Sequence, residues 1–243
     1  MRYIVNESTD AQYNMAFDDF CLERLPLEEP LFYLWQNAPS VIIGMNQNPY
    51  TEVNLEFLER QGIQLARRVT GGGAVYHDLQ NLNYSFVQAL GPQDQHPEPV
   101  LRIAGALRSL GVNAEVGGRN DIFVDGRKVS GYARRVYKDR ELIHGTLMWN
   151  VDIDTLTKVL DTPDSKLHRK GIVSVRSRVT NLKDCLPQIS SISEFRDRMF
   201  ELIMGEDARR APIELSEDDF SFIKNLNASK FASPDWLFGK WEE

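Results

Sequence analysis

The stretch RRVTGGGAVYHD, residues 67–78, contains two arginines, three consecutive glycines and a histidine. Consecutive glycines lose much backbone entropy on folding, so they are expected where the chain takes unusual dihedral angles or where another group approaches closely. A glycine-rich turn after a strand presents backbone N–H groups in a concavity that suits phosphate or carboxylate oxygens. We therefore predict an anion-binding loop, with a tight packing turn as the alternative, at Gly71, Gly72, Gly73 and Ala74.

The two arginines at the entrance of this loop have donors that suit the same anions. Arg67 and Arg68 lie on a strand-like run, so alternation directs them to opposite faces and predicts that only one of them meets a ligand. The spacing is not a Walker A loop, because no Gly-Lys-Ser/Thr follows, and it is not G-x-G-x-x-G. The loop therefore belongs to neither of those phosphate-binding classes.

Histidine and asparagine follow the loop. His77 comes directly after it, and Asn81 lies in the strand-like run that begins four residues later. An isolated histidine is often structural, but the neighbouring anion loop makes His77 a candidate ligand contact. No zinc site is predicted, because the histidines lack a paired spacing and no cysteine joins them: His77, His96, His144 and His168.

Lys128 follows a strong hairpin signal in VDGRKVSGYARR, where the Asp-Gly pair at 125–126 predicts a two-residue turn. Strict alternation after that turn predicts Lys128, Ser130 and Tyr132 on one face and Val129 on the other. A lysine with small or polar neighbours can reach across a pocket to a phosphate or carboxylate. The alternative is a solvated lysine on an exposed hairpin.

A second glycine-rich entry, GGRNDIFVDG, precedes the same hairpin and carries Asn120 and Asp121. An aspartate beside a phosphate cradle can hold Mg²⁺, which typically binds through one or two carboxylates together with substrate phosphates. We therefore predict Asp121 as a magnesium ligand.

A basic segment between residues 166 and 178 contains lysines and arginines and no acid. In an acidic chain this segregation favours a surface for an acidic partner or for phosphates, with a solvated basic loop as the equal alternative. Its cationic residues are Lys166, Arg169, Lys170, Arg176 and Arg178.

The elements that position these residues follow from periodicity and turn signals. Apolar residues in STDAQYNMAFDDFCLERL recur at helical spacing, with Ser8, Thr9 or Asp10 available as the cap. Further helices are predicted at NLEFLERQG, VLRIAGALRSLG, DIDTLTKVLD, SISEFRDRMFELIMG and SEDDFSFIKNLNASKF, and the tail SPDWLFGKWEE is predicted to be irregular. Short strands joined by hairpin-length turns, with helices interspersed, predict an α+β fold with a mixed, largely antiparallel sheet flanked by helices.

Composition excludes several classes of protein. The 243 residues have a net charge of −7 and a pI near 5.2, which argues against a general nucleic-acid or membrane-surface binder. Cys21 and Cys185 form no metal-ligand spacing, and the chain shows no signal-peptide hydrophobic region or run long enough for a membrane span. We expect a cytoplasmic protein that binds neither nucleic acid nor membranes.

Four motifs, in this order, resemble the lipoate-protein ligase A family, within the wider biotin and lipoate ligase fold. They are RRVTGGGAVYHDLQNLNYSF, GRNDIFVDGRKVSGYARR, HGTLMWNVD and KGIVSVRSRVTNLKDCLP. The resemblance implies a two-step reaction in which lipoate and ATP, with Mg²⁺, form lipoyl-adenylate and the lipoyl group then passes to a lysine of an acceptor lipoyl domain. Expected acceptors are the apo lipoyl domains of 2-oxoacid dehydrogenase complexes and the glycine cleavage H protein.

The resemblance also implies roles for individual residues. Lys128 matches the family's catalytic lysine, which holds the carboxyl end of lipoate and the α-phosphate. Substrate or nucleotide positions are matched by Arg68, Gly71, Gly72, Gly73, Ala74, His77, Asn81, Asn120, Ser130, His144 and Gly145, and Asp121 matches a position near the same site. An apolar slot for the acyl chain is expected from Val41, Ile43, Val75, Tyr84 and Phe86.

Chemistry separates the related activities. Octanoyltransferases of the same fold pass the acyl group through a cysteine thioester, and neither Cys21 nor Cys185 falls within a motif resembling that nucleophile. Adenylate chemistry is therefore favoured over octanoyl transfer. Biotin ligation is disfavoured because RRVTGGGAVYHD is closer to the lipoate version of the glycine-rich signature, and a non-catalytic lipoyl-binding module is disfavoured because Lys128, Asn120, Asp121 and the glycine loop are all present.

Many ligases of the family continue with a small accessory domain. We expect residues 1–243 to form a single catalytic domain without it. Three possibilities stay open at this point: activation by the single domain, activation with a separate accessory protein, and transfer only from preformed lipoyl-adenylate.

Overall fold

Two β-sheets with helices packed against them form the described part of the chain. The computed structural model describes residues 1–91, 96–118, 120–160, 179–239 and 241. The strands are β1 (Arg2–Tyr3), β2 (Leu31–Trp35), β3 (Ser40–Ile43), β4 (Gln64–Arg67), β5 (Val75–His77), β6 (Asn81–Ala89), β7 (Ala114–Gly117), β8 (Asp121–Val124), β9 (Arg127–Tyr137) and β10 (Arg140–Met148). The helices are α1 (Ala11–Glu23), α2 (Pro49–Glu52), α3 (Leu55–Gln61), α4 (Glu98–Ser109), α5 (Ile153–Val159), α6 (Leu182–Cys185), α7 (Ile192–Met204), α8 (Glu217–Leu226) and α9 (Pro234–Leu237).

The main sheet has the strand order β1-β2-β6-β10-β9-β8-β7. β1 is parallel to β2, and the other neighbouring strands are antiparallel. The smaller sheet has the order β4-β3-β5, with β3 parallel to β4 and antiparallel to β5. The prediction of a mixed, largely antiparallel sheet flanked by helices is confirmed.

Both faces of the main sheet are covered. On one face, Phe86, Ile143 and Leu147 pack in an apolar core with residues of α4 and α7. On the other face, Tyr33 and Leu142 belong to a second core with α1. Strands covered on both sides read as nearly continuous buried runs, as β2 and β6 do. We call these the helix-covered face and the pocket face, because the candidate site lies on the second.

Local sequence signals set several element ends. The Asp10 carboxylate accepts the N–H of Tyr13 at 2.7 Å and caps α1, as predicted. Gly62 ends α3 with φ 63°, and residues 125–126 form the predicted two-residue turn with φ of 50° and 74°. The tail was predicted to be irregular, and this was wrong for α9, whose N-terminus is capped by the Ser233 hydroxyl.

The C-terminal segment packs against α1 and β4. Lys230 forms an ion pair with the buried Asp19 on α1 at 2.8 Å, and the indole of Trp236 donates to the carbonyl of Arg67 at 2.9 Å. The segment therefore supports the strand that leads into the glycine loop. Within the residues that the structure describes, no helix has the length and apolar character needed to cross a membrane.

Candidate active site

A pocket opens between the pocket face of the main sheet and the smaller sheet. One row of residues, which we call the floor row, runs across five strands: Trp35, Asn83, Thr146 and Gly131 line the pocket, and Asp121 continues the row beyond them. The opposite wall comes from the smaller sheet and the glycine loop, and Met15 of α1 closes one side. Residues from distant parts of the chain therefore meet in one cleft.

The glycine loop is wrapped around the guanidinium of Arg68. This group donates to the carbonyls of Gly71 at 2.9 Å, Gly73 at 2.7 Å and Ile42 at 3.0 Å. Burial lowers the pKa of Arg68 to about 10, so the group stays charged at neutral pH. Arg68 lines the pocket as predicted, but its donors hold the shape of the loop.

Arg67 points to the opposite side, in agreement with the alternation of the strand. Its buried guanidinium donates to the carbonyls of Gly44 at 3.0 Å, Gln47 at 2.7 Å and Leu237 at 2.5 Å. Arg67 therefore connects the loop after β3 to the C-terminal segment and does not reach the pocket.

Gly44 was not predicted as a site residue, yet it shapes the glycine loop. A Cβ atom at this position would overlap the carbonyl oxygen of Gly72, whose own φ is 102°. Gly71 and Gly73 are exposed and have open space where a side chain would begin. The loop thus combines a close backbone approach on one side with an open face on the other, and Gly72, Gly73 and Ala74 line the pocket.

Lys128 lies at the edge of the pocket, with its ammonium 2.7 Å from the carboxylate of Asp121. A Cβ atom on Gly131 would be 2.9 Å from the Lys128 Nζ, so the lysine head lies directly over this glycine. Asn120 also lines the pocket, and its amide donates to the carbonyl of Tyr132 at 2.7 Å. The structure therefore brings Lys128, Asn120 and Asp121 together.

The predicted face of Ser130 was wrong. Ile122 pairs with Ser130 and Phe123 with Lys128, so the residue between them in β9 forms a bulge. The bulge places Lys128 on the same face as Gly131, and it turns Ser130 away from the pocket into the protein interior, where it is fully buried.

Gly145 borders the pocket, but its lack of a side chain serves packing on the helix-covered face. A Cβ atom there would overlap the phenol of Tyr84 and approach the Gly131 carbonyl within 2.8 Å. Only glycine fits at this position of β10, between Tyr84 of β6 and Gly131 of β9.

His144 lines the pocket and is held at both ring nitrogens. Its Nδ1 lies 2.7 Å from the carboxylate of Asp18 and its Nε2 lies 2.8 Å from the hydroxyl of Thr70. Asp18 also accepts from Ser85 at 2.9 Å and from Tyr33. Sequence reasoning missed Asp18, because a carboxylate on the buried face of α1 gives no local sign of its partners.

His77 lines the pocket from β5, and burial lowers the pKa of its imidazole to about 3, so the ring is neutral at physiological pH. Asn81 does not line the pocket. Its amide donates to Asn83 at 2.8 Å, and Asn83 faces the cavity instead.

The apolar part of the pocket differs from the predicted slot. Val75 lines it as predicted, but Val41 and Ile43 face the other side of β3, and Tyr84 and Phe86 lie on the helix-covered face. The apolar lining includes Met15, Trp35, Ile42, Val75 and Ala133. Strands buried on both faces carry apolar residues at every position, so alternation alone did not show which set faces the ligand.

Some predicted features lie outside this pocket or outside the described residues. The basic residues between 166 and 178, together with His168, fall outside the described residues. Val179 forms a bridge with Lys128, and the N–H of Thr180 donates to the Lys128 carbonyl at 3.0 Å. Neither Cys21 nor Cys185 lines the pocket.

Comparison with known proteins identifies similar sequences. Residues 10–203 match the family described as lipoyl protein ligase A/B catalytic domain. The lipoate-protein ligase LplJ of Bacillus subtilis is 39% identical over 248 residues, which cover 99% of this chain and 74% of that relative. Lipoate–protein ligase 1 of Staphylococcus aureus is also 39% identical, over 246 residues, with the same coverage of 99% and 74%.

Solved structures with the same architecture include a bi-partite lipoate protein ligase from Thermoplasma acidophilum, studied with its E2 lipoyl domain. It has a TM-score of 0.88 and 29% identity, covering 100% of this chain and 97% of that chain. A Thermoplasma acidophilum structure with bound lipoic acid and a lipoate-protein ligase A structure bound with ATP each have a TM-score of 0.82 and 27% identity. Each covers 98% of this chain and 98% of the matched chain.

Proposed function

Because this chain belongs to the lipoyl protein ligase A/B catalytic domain family, we propose that it activates lipoate with ATP and transfers the lipoyl group to a lysine of an acceptor lipoyl domain. The chain is an enzyme of the ATP-dependent lipoate-protein ligase class. In the first step a lipoate carboxylate oxygen attacks the α-phosphorus and pyrophosphate leaves. In the second step the acceptor amine attacks the acyl carbon, loses a proton and displaces AMP.

The position of Lys128 carries this proposal. Its ammonium lies at the polar end of the floor row, while Trp35 and Ile42 lie at the apolar end. A carboxylate bound at Lys128 directs its acyl chain along the row toward the apolar end. The same ammonium is placed to stabilise negative charge that accumulates on the α-phosphate in the transition state.

The glycine loop fits a nucleotide. Its open outer face leaves room for phosphates at Gly71 and Gly73, and the carbonyls that would repel an anion are already bonded to Arg68. A relative whose chain matches over 98% of its length binds ATP. We infer that ATP phosphates bind along this loop, between its N–H groups and Lys128.

Asp121 fits a magnesium ion that is held mainly by nucleotide. The described residues contain no group of three or more metal-binding side chains, so a protein-only site is not expected there. One carboxylate together with phosphate oxygens and water is a typical Mg²⁺ environment. Asp121 would hold the ion, which would neutralise phosphate charge when bound. The Asp121 carboxylate also orients the Lys128 ammonium, which lies 2.7 Å away.

The acceptor step needs no protein nucleophile. The two cysteines lie outside the pocket lining, which supports direct attack by the acceptor lysine rather than a thioester route. A structural relative was studied with its E2 lipoyl domain, which supports lipoyl domains of 2-oxoacid dehydrogenase complexes as acceptors. Glycine cleavage H protein is proposed as a further acceptor, and the reaction is proposed to take place in the cytoplasm.

A second candidate is activation that depends on a separate accessory protein, or transfer only from preformed lipoyl-adenylate. The observation that favours it is the bi-partite nature of a ligase whose matched chain has nearly the same extent as this one. Activation by this chain alone differs from these two possibilities in which donor labels the acceptor.

Lipoate-dependent pyrophosphate release by the purified chain, alone and with an apo lipoyl domain, distinguishes them. Pyrophosphate release followed by acceptor labelling means a complete ligase. Labelling only from synthetic lipoyl-adenylate means that this chain transfers the lipoyl group and that activation requires another protein. Failure of both donors contradicts the proposed function.

Lys128→Met tests the residue assignment. Loss of the charge is expected to lower adenylate formation by about 10²–10³-fold, the usual effect of removing one preorganised electrostatic group. The matched control is Lys158→Met on α5, an exposed position outside the pocket lining, which is expected to retain full activity. Full activity of Lys128→Met would contradict the role of Lys128.

A further inference from the structure

Two buried hydrogen-bond donors line the pocket without a partner in the protein. The Nε2 of His77 and the amide nitrogen of Asn83 make no hydrogen bond, although these residues are only 3% and 1% exposed. Leaving a buried donor unsatisfied is energetically costly. Two such donors in one pocket therefore point to a ligand that supplies acceptors.

The protonated nitrogen of His77 is determined by a chain of asparagines. The Asn14 amide nitrogen lies 2.9 Å from the carbonyl of Ser8 and 3.1 Å from that of Gln36, which only accept. The same nitrogen donates to the Asn37 side-chain oxygen at 2.8 Å. This orients the Asn37 amide nitrogen toward His77.

The Asn37 amide nitrogen lies 3.0 Å from His77 Nδ1. An amide nitrogen only donates, so His77 Nδ1 accepts and carries no proton. The ring is neutral because its pKa is lowered by burial, so the single ring proton is on Nε2. His77, which lines the pocket, therefore carries its proton on the unpaired Nε2, and Asn14 and Asn37 act as positioning residues.

Both donors lie near the apolar end of the pocket. Asn83 pairs with Trp35 in the floor row, and the His77 and Trp35 ring centroids are 6.2 Å apart. Thr146 separates Asn83 from Gly131, over which the Lys128 head lies. Two strand spacings, about 9–10 Å, therefore separate Asn83 from Gly131, where the carboxylate is expected to bind.

Lipoate has the size needed to reach the donors from Lys128. Four methylene groups separate its carboxyl group from the dithiolane ring, and at about 1.5 Å per bond the extended chain places the ring sulfurs at that order of distance. Sulfur is a weak hydrogen-bond acceptor and also packs well against aromatic rings such as Trp35.

We propose that His77 Nε2–H and Asn83 Nδ2–H form a sulfur-reading site, which binds the dithiolane sulfurs of lipoate and selects lipoate over acyl chains without sulfur. This inference rests on the proposed function. Octanoate reaches the same depth but offers no acceptor, so it leaves both donors unsatisfied in a dry environment. A site built for hydrogen bonding rejects an analogue that lacks the acceptor more strongly than an apolar slot rejects a change of shape.

The test compares three acids as substrates for adenylate formation: lipoate, octanoate and 5-cyclopentylpentanoate. The last has the shape of lipoate with carbon in place of both sulfurs. The wild-type chain is expected to prefer lipoate over the carbocyclic acid by about tenfold in kcat/KM, from the cost of unsatisfied donors. Equal use of lipoate and the carbocyclic acid would overturn the inference while leaving the proposed function intact. Activation of none of the three acids would instead overturn the proposed function.

Two variants at one position sharpen the test. His77→Phe removes the donor and is expected to lower kcat/KM for lipoate about tenfold more than kcat/KM for the carbocyclic acid. His77→Gln keeps an amide N–H near the position of Nε2 and is expected to recover part of the preference. ATP binding by each variant, measured by calorimetry, verifies that the site is folded. An equal loss for all three acids would mean a structural role and overturn the inference.

A spectroscopic measurement tests the positioning residues directly. Long-range ¹H–¹⁵N correlation spectra are expected to show His77 protonated at Nε2, with a shift of that nitrogen on addition of lipoate but not of the carbocyclic acid. Asn37→Leu is expected to mix the two tautomers and to weaken the preference for lipoate. A ring protonated at Nδ1 in the wild-type chain would overturn the inference.

Discussion

The two faces of the main sheet are made by the same strands but are built in different ways. On the helix-covered face, apolar side chains such as Phe86, Ile143 and Leu147 pack against helices. On the pocket face, the same strands bury polar side chains such as Asn83 and His144. Because alternate residues of a strand point to opposite faces, each residue contributes either to the apolar core or to the candidate site.

Most of the buried polar groups around the pocket are bonded within the protein. His144 is held by Asp18 and Thr70, and Arg68 is held by loop carbonyls. Among the residues that line the pocket, the exceptions are His77 and Asn83, each of which has a buried donor without a partner. Buried polar side chains therefore locate the region of the site. Buried donors without a partner indicate where a ligand is expected to supply the hydrogen-bond acceptor.

The largest expected effect on stability comes from the helix-covered face. Phe195 of α7 is fully buried and stacks on Trp149, with ring centroids 4.7 Å apart. Phe195→Ala is expected to lower the free energy of unfolding by about 3–5 kcal/mol, through lost burial and the cavity that remains. Chemical denaturation measures this loss, and the activity per folded molecule is expected to stay near wild type. Phe220→Ala, at a position that is 39% exposed, is the matched control and should change stability little. A comparable loss of stability in both variants would contradict the assignment of Phe195 to the core of the helix-covered face.

Gly145 of β10 and Gly131 of the adjacent strand β9 allow the two faces to be compared by the same substitution. A methyl group at Gly145 meets the ring of Tyr84, so Gly145→Ala is expected to cost about 1–3 kcal/mol of stability through overpacking. A methyl group at Gly131 meets the flexible head of Lys128 at 2.9 Å. Gly131→Ala is therefore expected to leave stability nearly constant and to lower adenylate formation by about tenfold, the equivalent of roughly 1.4 kcal/mol in transition-state stabilisation. Thermal unfolding and kcat/KM, measured on both variants, test the expected loss of stability and the expected loss of activity. Exchange of the two outcomes would show that the faces are wrongly assigned.

The smallest expected effect is on the pH dependence of stability. His77 has a pKa of about 3 in the folded chain, against 6.5 for an imidazole in water. Between these values the unfolded chain binds more protons, so stability is lost as pH falls from 6.5 toward 3 and is fully present above 6.5. The slope from this group approaches about 1.4 kcal/mol per pH unit. Denaturation curves at pH 6 and pH 5 are expected to show a loss about 1 kcal/mol larger in the wild type than in His77→Gln. Equal losses would mean that His77 is not buried as a neutral ring.

Local signals explain how much of the fold was predictable. The Asp10 cap, the Gly62 helix end and the two-residue turn at 125–126 act over a few residues, and each was predicted correctly. The family motifs also identified residues that the structure brings together around one pocket, including Lys128 and His144.

The wrong predictions have a common physical cause. Ser130 was assigned to the pocket because strict alternation was assumed, and the bulge in β9 reversed its face. Tyr84 and Phe86 were assigned to the slot, but β6 is buried on both sides and its sequence does not show which side holds the ligand. Asp18 was missed because its partners come from distant segments.

The sequence by itself determined the α+β class, several element ends and the motifs that reveal the family, because caps, turns and periodicity depend on neighbouring residues. Only the tertiary structure decided which face of each strand meets the pocket and which polar groups satisfy one another. These outcomes depend on pairing register and on contacts between residues far apart in the chain, such as Asn14 and Asn37, which orient His77. The chemistry of the site therefore follows from nonlocal hydrogen bonds that a local pattern does not contain.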